Sequence, residues 1–321
     1  MYDQISEEVN SFSVDGRFLR RVSRAGGGPG ELRNSFVGAH LLWREPSELW
    51  IATMGHIMVF GSIGQFLREF AAPNSSGGLY SAWPVRATDS LGHVYALGQE
   101  AQSRGWPPIN IRHERIERYA LDDDGELLAR GKLSIGRIES RGTAAGGGVF
   151  TMEELPMRPT VLWAPDPSGD VWVARSDSYR IHRLTFRGDT VATVELARSQ
   201  ERLEGAERDS IAATVEKVYS IEELPKTKPV MSDLYADADG WLWVRRREGA
   251  SATDAWDVFD DCMRFVGWAI VPLRLARRPL VPLGSAGLLA VARDALDIDY
   301  IVHLRLARPD GRPISTGPCD A

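Results

Sequence analysis

The residues best able to do chemistry in this 321-residue chain do not assemble into a familiar catalytic motif. His113-Glu114-Arg115-Ile116-Glu117 starts as a zinc-protease helix would, but Glu117 stands where the second histidine is needed. Asp122-Asp123-Asp124-Gly125 and Asp237-Ala238-Asp239-Gly240 look like calcium loops. With each glycine at loop position six, however, Ala120 and Tyr235 fall at position one and Gly131 and Arg246 at position twelve, and none of these supplies a carboxylate. Both runs read as turns. The string Gly26-Gly27-Gly28-Pro29-Gly30 invites a phosphate loop, yet no Gly-Lys-Ser/Thr follows and Glu31 occupies a position the dinucleotide pattern gives to glycine. No Gly-x-Ser-x-Gly elbow exists, so a serine triad has no anchor. Asn74-Ser75-Ser76 matches a glycosylation acceptor and is read as chance.

What remains is a set of arginines near apolar strands: Arg104 and Arg112, Arg175 and Arg180, then Arg245, Arg246 and Arg247. Guanidinium forks grip carboxylates and phosphates, so an anionic ligand is one expectation. Pairing with Glu201, Glu204 and Glu207 is the simpler one.

Composition narrows the class. Apolar residues make up 43% and charged residues 26%, as in ordinary globular proteins. The net charge of −6 argues against a nucleic-acid partner, which calls for a basic field. The most apolar runs, Phe265–Leu273 and Leu280–Ala292, are too short for the roughly 20 residues of a membrane-spanning helix. Met1-Tyr2-Asp3 does not open a secretory signal. Cys262 and Cys319 form neither a disulfide framework nor a zinc site; two unpaired thiols are the simpler expectation and a single bridge the alternative.

The elements that must position these residues recur. One unit is a tight turn followed by an aromatic-centred strand: Glu45-Pro46-Ser47-Glu48 before Trp50, Asp89-Ser90-Leu91-Gly92 before Tyr95, Asp166-Pro167-Ser168-Gly169 before Trp172, and Asp237-Ala238-Asp239-Gly240 before Trp243. A degenerate copy follows Gly287. The other unit is a hairpin, mostly with an Asp/Gly turn, readable at residues 12–19, 59–67, 119–128, around Gly188, at 258–266 and at 304–312. The aromatic strands are apolar at consecutive positions, so both of their faces are buried. Radial stacking of small sheets achieves this and leaves only short edges.

These features predict an all-β chain: a single six-bladed β-propeller over residues 1–321, of four-stranded antiparallel blades, with one inserted helical segment at about 199–220. In that segment Ile211, Ala212, Val215, Val218 and Tyr219 share one helix face. The strands of a blade, inner to outer, are A to D. Expected A strands are Val37–Trp43, Ala82–Ala87, Thr160–Ala164 and Pro229–Ala236. Six C–D hairpins stand against five B strands, so the first blade is expected to be incomplete, with residues missing upstream of Tyr2.

The run Gly26-Gly27-Gly28-Pro29-Gly30-Glu31-Leu32 after an Asp-Gly hairpin, and Lys228-Pro229-Val230 leading to Trp241-Leu242-Trp243-Val244, resemble the bacterial six-bladed propellers related to NHL-repeat proteins. The resemblance covers Phe12 to about Leu306. It implies the fold and a periplasmic or cell-surface location, and it transfers no catalytic residue.

Function then follows from loop placement. A–B and C–D turns are short, whereas Gly98–Ile111 and Arg246–Ala255 read as B–C loops and Ala25–Ser35, Ser134–Arg158 and Arg198–Lys228 as connections between blades. All would crowd one face, together with the arginines. The expected function is therefore a non-catalytic binding or scaffold propeller, a monomer without a cofactor. It would take a peptide, glycan or protein ligand, of anionic character, at Arg104, Arg112, Arg175, Arg180, Arg245 and Arg246. The alternative is a metal-dependent hydrolase or lyase with its site in the central channel, where His40 and Asp233 lie on expected A strands.

Overall fold

The computed structural model describes the chain apart from residues 4, 14–15, 34–38, 45–46, 54, 74–86, 106–107, 145–149, 247–253, 272–274, 283–286, 295, 297 and 307–321. Six antiparallel sheets follow one another in chain order. The first joins β1 (Tyr2–Asp3), β2 (Glu8–Phe12) and β3 (Phe18–Arg24), and the second β4 (His40–Arg44), β5 (Glu48–Thr53), β6 (His56–Phe60) and β7 (Phe66–Ala71). The third joins β8 (Ala87–Thr88), β9 (Val94–Arg104), β10 (Ile109–Leu121), β11 (Leu127–Ala144) and β12 (Phe150–Glu154). Next are β13 (Val161–Pro165), β14 (Val171–Arg175), β15 (Arg180–Leu184) and β16 (Thr190–Glu195). The fifth sheet contains β17 (Met231–Ala236), β18 (Leu242–Arg246), β19 (Asp254–Phe259) and β20 (Phe265–Val271), and the sixth β21 (Leu275–Pro282), β22 (Leu288–Arg293) and β23 (Asp299–Leu304).

This is a propeller-type arrangement of antiparallel sheets, with five blades counted where the repeat predicts six. Two sheets fall short of four described strands: the first, where β1 is only two residues long, and the last. The end of the sixth expected hairpin, from residue 307, lies outside the described residues. The chain divides into two compact units: Met1–Gln102 with Arg112–Ile138, and Ser103–Ile111 with Glu139–Ala321.

Within each unit the aromatic strands do what their continuous apolarity requires. In the first unit Trp50 packs with Ala52, Val94, Ala96 and Tyr119, joining the second sheet to the third. In the second unit Trp172 packs with Val230, Leu242 and Val244, and Trp243 with Leu288 and Ala290, so each indole fills the core between its own sheet and the next.

The tight turns serve these aromatics directly. Asp166 accepts from the backbone N–H of Ser168 (2.9 Å), and its other carboxylate oxygen takes Trp172 Nε1–H (2.9 Å). Asp237 does the same with Asp239 N–H (3.0 Å) and Trp243 Nε1–H (3.2 Å), and Asp89 with Leu91 N–H (3.0 Å) and the Tyr95 hydroxyl (2.7 Å). A buried indole N–H needs a partner, and an Asp six residues earlier supplies it from the turn. The fourth turn residue adopts positive φ, 91° at Gly169 and 83° at Gly240, which explains the Asp-x-x-Gly spacing. In the β19–β20 turn Met263 takes that position at φ 63°. Asp294 and Tyr300 (3.1 Å) repeat the clamp at a turn the sequence pattern does not reveal.

Three expectations are corrected. Gly98–Ile111 is not a loop: β9 and β10 run through most of it as a long hairpin, and β11 likewise enters Ser134–Arg158. Gly98 is no strand breaker; a Cβ there would meet the Glu117 carboxyl carbon at 2.8 Å, so this glycine leaves room for a side chain. The helix α1 spans Gly205–Val215, shorter than 199–220, because Leu203 is buried and Arg202 bridges Thr227 in extended chain. Its expected face does pack, Val215 and Tyr219 clustering with Leu155, Ile211, Ala212, Val218 and Leu224. Cys262 is disulfide-bonded rather than a free thiol; Cys319 lies outside the described residues. No described helix is long and apolar enough to cross a membrane.

Candidate functional site

The second unit carries most of the expected arginines at one end of two adjacent sheets. Arg175 closes β14, Arg180 opens β15 opposite Glu195 at the end of β16, and Arg245 and Arg246 close β18. The start of β17 is tied to the same place, since Val230 N–H donates to the Ser176 carbonyl (2.7 Å).

Each arginine is engaged locally. Arg175 forks onto Asp177 (2.9 and 3.2 Å), which raises the guanidinium pKa and lowers that of Asp177. Arg180 forks onto Glu195 (2.9 and 3.1 Å) with the same upward shift. Arg245 lies over the Trp256 ring, 5.5 Å from its centroid. Arg246 is mostly buried and donates to Asp257 Oδ1 from Nε (3.0 Å) and Nη2 (2.5 Å).

Asp257 is the centre that sequence reasoning missed. It is fully buried on β19 opposite Val244, on the face turned toward the preceding sheet. From that sheet the Tyr179 hydroxyl donates to Oδ2 (2.7 Å) and Arg198, just past β16, donates to Oδ1 (2.9 Å). Burial, then the charge and hydrogen bond of Asp257, push the Tyr179 pKa upward, so the phenol keeps its proton as donor. Arg198 also lies over the Tyr179 ring at 5.5 Å. One signal was available: Asp257 interrupts the apolar strand Ala255-Trp256-Asp257-Val258-Phe259, and a lone acid there demands partners. Nothing local pointed to Arg198.

The expected alternative partners of the arginines are spent elsewhere. Glu201 (2.8 Å) and Glu207 (2.5 Å) both hold the buried Lys228 ammonium and raise its pKa, and Glu204 meets Arg202 (3.2 Å). Arg104 is exposed at the end of β9 in the second unit, whereas Arg112 is half-buried within β10 in the first; Arg247 lies outside the described residues. Of the channel candidates, His40 is half-buried at the start of β4 in the first unit. Asp233 is buried on β17 in the second, accepting from the Tyr235 hydroxyl (3.1 Å).

One cluster of possible metal ligands occurs among the described residues, Asp260, Asp261 and Cys262. Asp260 is already paired with Arg264 (2.8 Å), and the Cys262 sulfur is committed to a disulfide.

No protein-family model matches the sequence. No curated protein matches it either. Among solved structures, virginiamycin B lyase from Staphylococcus aureus with quinupristin is similar at 13% identity, covering 89% of this chain and 85% of that one, with a TM-score of 0.42. A member of the duf4221 family from Bacteroides vulgatus is similar at 8% identity, with coverages of 89% and 80% and a TM-score of 0.42. A luciferin-regenerating enzyme follows at 10% identity, 84% and 77% coverage and a TM-score of 0.39. Likeness at this level assigns neither an activity nor a site residue to this chain.

Proposed function

We propose that the protein is a non-catalytic binding propeller that takes an anionic ligand at the arginine-bearing end of its fourth and fifth sheets. One observation carries the reading: Arg175, Arg180, Arg245 and Arg246 stand at strand ends, and Arg198 just past β16, at that end of two neighbouring sheets. A ligand carboxylate or sulfate can exchange with the surface partners Asp177 and Glu195 at little cost, since exposed ion pairs contribute only about 0–1 kcal/mol. The ligand is a peptide, glycan or protein, and the protein acts as one monomeric domain. The disulfide at Cys262 supports an oxidising compartment such as the periplasm or the cell surface.

The test is titration calorimetry with poly-L-glutamate and with oligogalacturonate, at low and at moderate salt. Arg175→Ala combined with Arg245→Ala should weaken binding of an anion about tenfold with little change in thermal midpoint. Failure of both probes to bind the parent protein at low salt would remove the reading.

A further inference from the structure

Trp268 is the most exposed tryptophan among the described residues, ahead of Trp43 at 50%. It sits on β20, the outer strand of its sheet, and is 64% exposed, while Trp50, Trp172, Trp243 and Trp256 are essentially inaccessible. Its position is specific: Trp268 lies directly opposite Asp257, so its indole leaves the sheet on the face that carries the buried carboxylate. The Arg246 guanidinium stands over its ring at 5.8 Å. Arg198, whose side chain is 32% exposed, reaches the same Asp257 from the neighbouring sheet. Two residues along β20, Ile270 is 59% exposed on the same face. Aromatic, aliphatic and guanidinium groups thus share one rim, fixed from below by a carboxylate that cannot move away from its three donors.

We propose that Trp268, Arg198 and Arg246 form a subsite for a uronate residue of an acidic glycan. This rests on the anion-binding reading and names its ligand class. A pyranose has one face of C–H bonds, which packs on an indole as other apolar surfaces do, and a uronate adds a carboxylate in the plane of the ring. Arg198 presents a planar set of donors for that carboxylate, and Asp257 pre-orders it before the ligand arrives. An acidic peptide added as a strand along β20 is disfavoured. The β19–β20 register shifts between Val258 and Phe259, and Gly267, next to Trp268, has φ 153°, so the edge is irregular where a peptide would have to pair.

The experiment is calorimetric titration of the intact protein with oligogalacturonate, a neutral galacto-oligosaccharide and poly-L-glutamate, comparing the parent with Trp268→Ala and Arg198→Lys. Trp268→Ala is an exposed substitution and should leave the thermal midpoint unchanged; Arg198→Lys keeps a cation beside Asp257. The expected result is that oligogalacturonate binds, that both variants weaken it at least tenfold, and that the neutral sugar binds at least tenfold more weakly than the acidic one. Full-strength oligogalacturonate binding by Trp268→Ala overturns the subsite and leaves the anion-binding reading standing. Binding of poly-L-glutamate alone overturns the glycan class in favour of a peptide. Binding of neither anion overturns both proposals.

Discussion

Each unit contains a fully buried carboxylate held by arginines and a tyrosine, Glu117 in the first and Asp257 in the second, and the two clusters are built in opposite ways. In the first unit Glu117 on β10 accepts from Arg115 (2.6 Å) and from the Tyr119 hydroxyl, both two residues away on its own strand, and from Arg130 (2.9 Å) on the adjoining β11. Every partner belongs to one sheet. In the second unit Asp257 draws Arg246 from its own sheet but Tyr179 and Arg198 from the sheet before it, 78 and 59 residues distant in sequence. Glu117 therefore stiffens a sheet, whereas Asp257 fastens two sheets together. Only the second arrangement brings arginines from two sheets onto one carboxylate.

Core truncation sets the scale for testing this contrast. Trp172→Ala should cost about 3–5 kcal/mol in denaturant unfolding, since it empties the inter-sheet core that the Asp257 cluster closes and leaves Asp166 without its indole donor. Equal midpoints for mutant and parent would show that this interface is not cooperative. Asp257→Ala comes next, at about 3–4 kcal/mol, because two guanidiniums and a buried phenol lose a common acceptor. Hydrogen exchange should then accelerate in both β14–β15 and β18–β19; acceleration confined to β18–β19 would break the fastening argument.

Glu117→Gln should cost less, about 2–3 kcal/mol, and loosen β9–β11 alone. Its pH dependence supplies a second readout. Burial opposes ionisation of Glu117, but the hydrogen bonds from Tyr119, Arg115 and Arg130 outweigh it and hold the pKa below the ordinary 4.5. A lowered folded-state pKa gives stability that is fully present above 4.5 and is lost as the pH falls through the folded value. The parent's advantage over Glu117→Gln should therefore be constant near neutrality and shrink in acid; an advantage that grew in acid would reverse the assignment. Gly98→Ala should mimic part of this loss, about 1–3 kcal/mol, because the added methyl meets the Glu117 carboxyl group. Smallest of all is Arg175→Ala, at most about 1 kcal/mol, as its Asp177 partner is a surface group.

Much of the fold was legible because its signals are local. Asp166 and Trp172, or Asp237 and Trp243, are six residues apart, and a turn with positive φ at its fourth residue delivers one to the other without help from the rest of the chain. The strand pattern around Trp50, Trp172 and Trp243 likewise stated that both faces are covered. The apolar positions from Ile211 to Tyr219 were readable from period and do cluster, though neither end of the helix was: Leu203 is held in extended chain by burial, and Val218 and Tyr219 lie past the helix end at Val215. Gly98 misled for a physical reason: a glycine that ends a strand and one that clears space for a neighbour look identical in sequence.

The sequence by itself determined an all-β chain of repeated turn-and-aromatic units, because those instructions pass between residues a few positions apart. Only the tertiary structure decided which charged groups meet. Arg246 could have gone to any acid in reach, and it is the stacking of β19 against the sheet before it that brings Tyr179 and Arg198 to Asp257 and leaves Trp268 outside. A guanidinium ranges widely on its flexible stem, and its ion pair is chosen by burial, which no stretch of sequence encodes on its own.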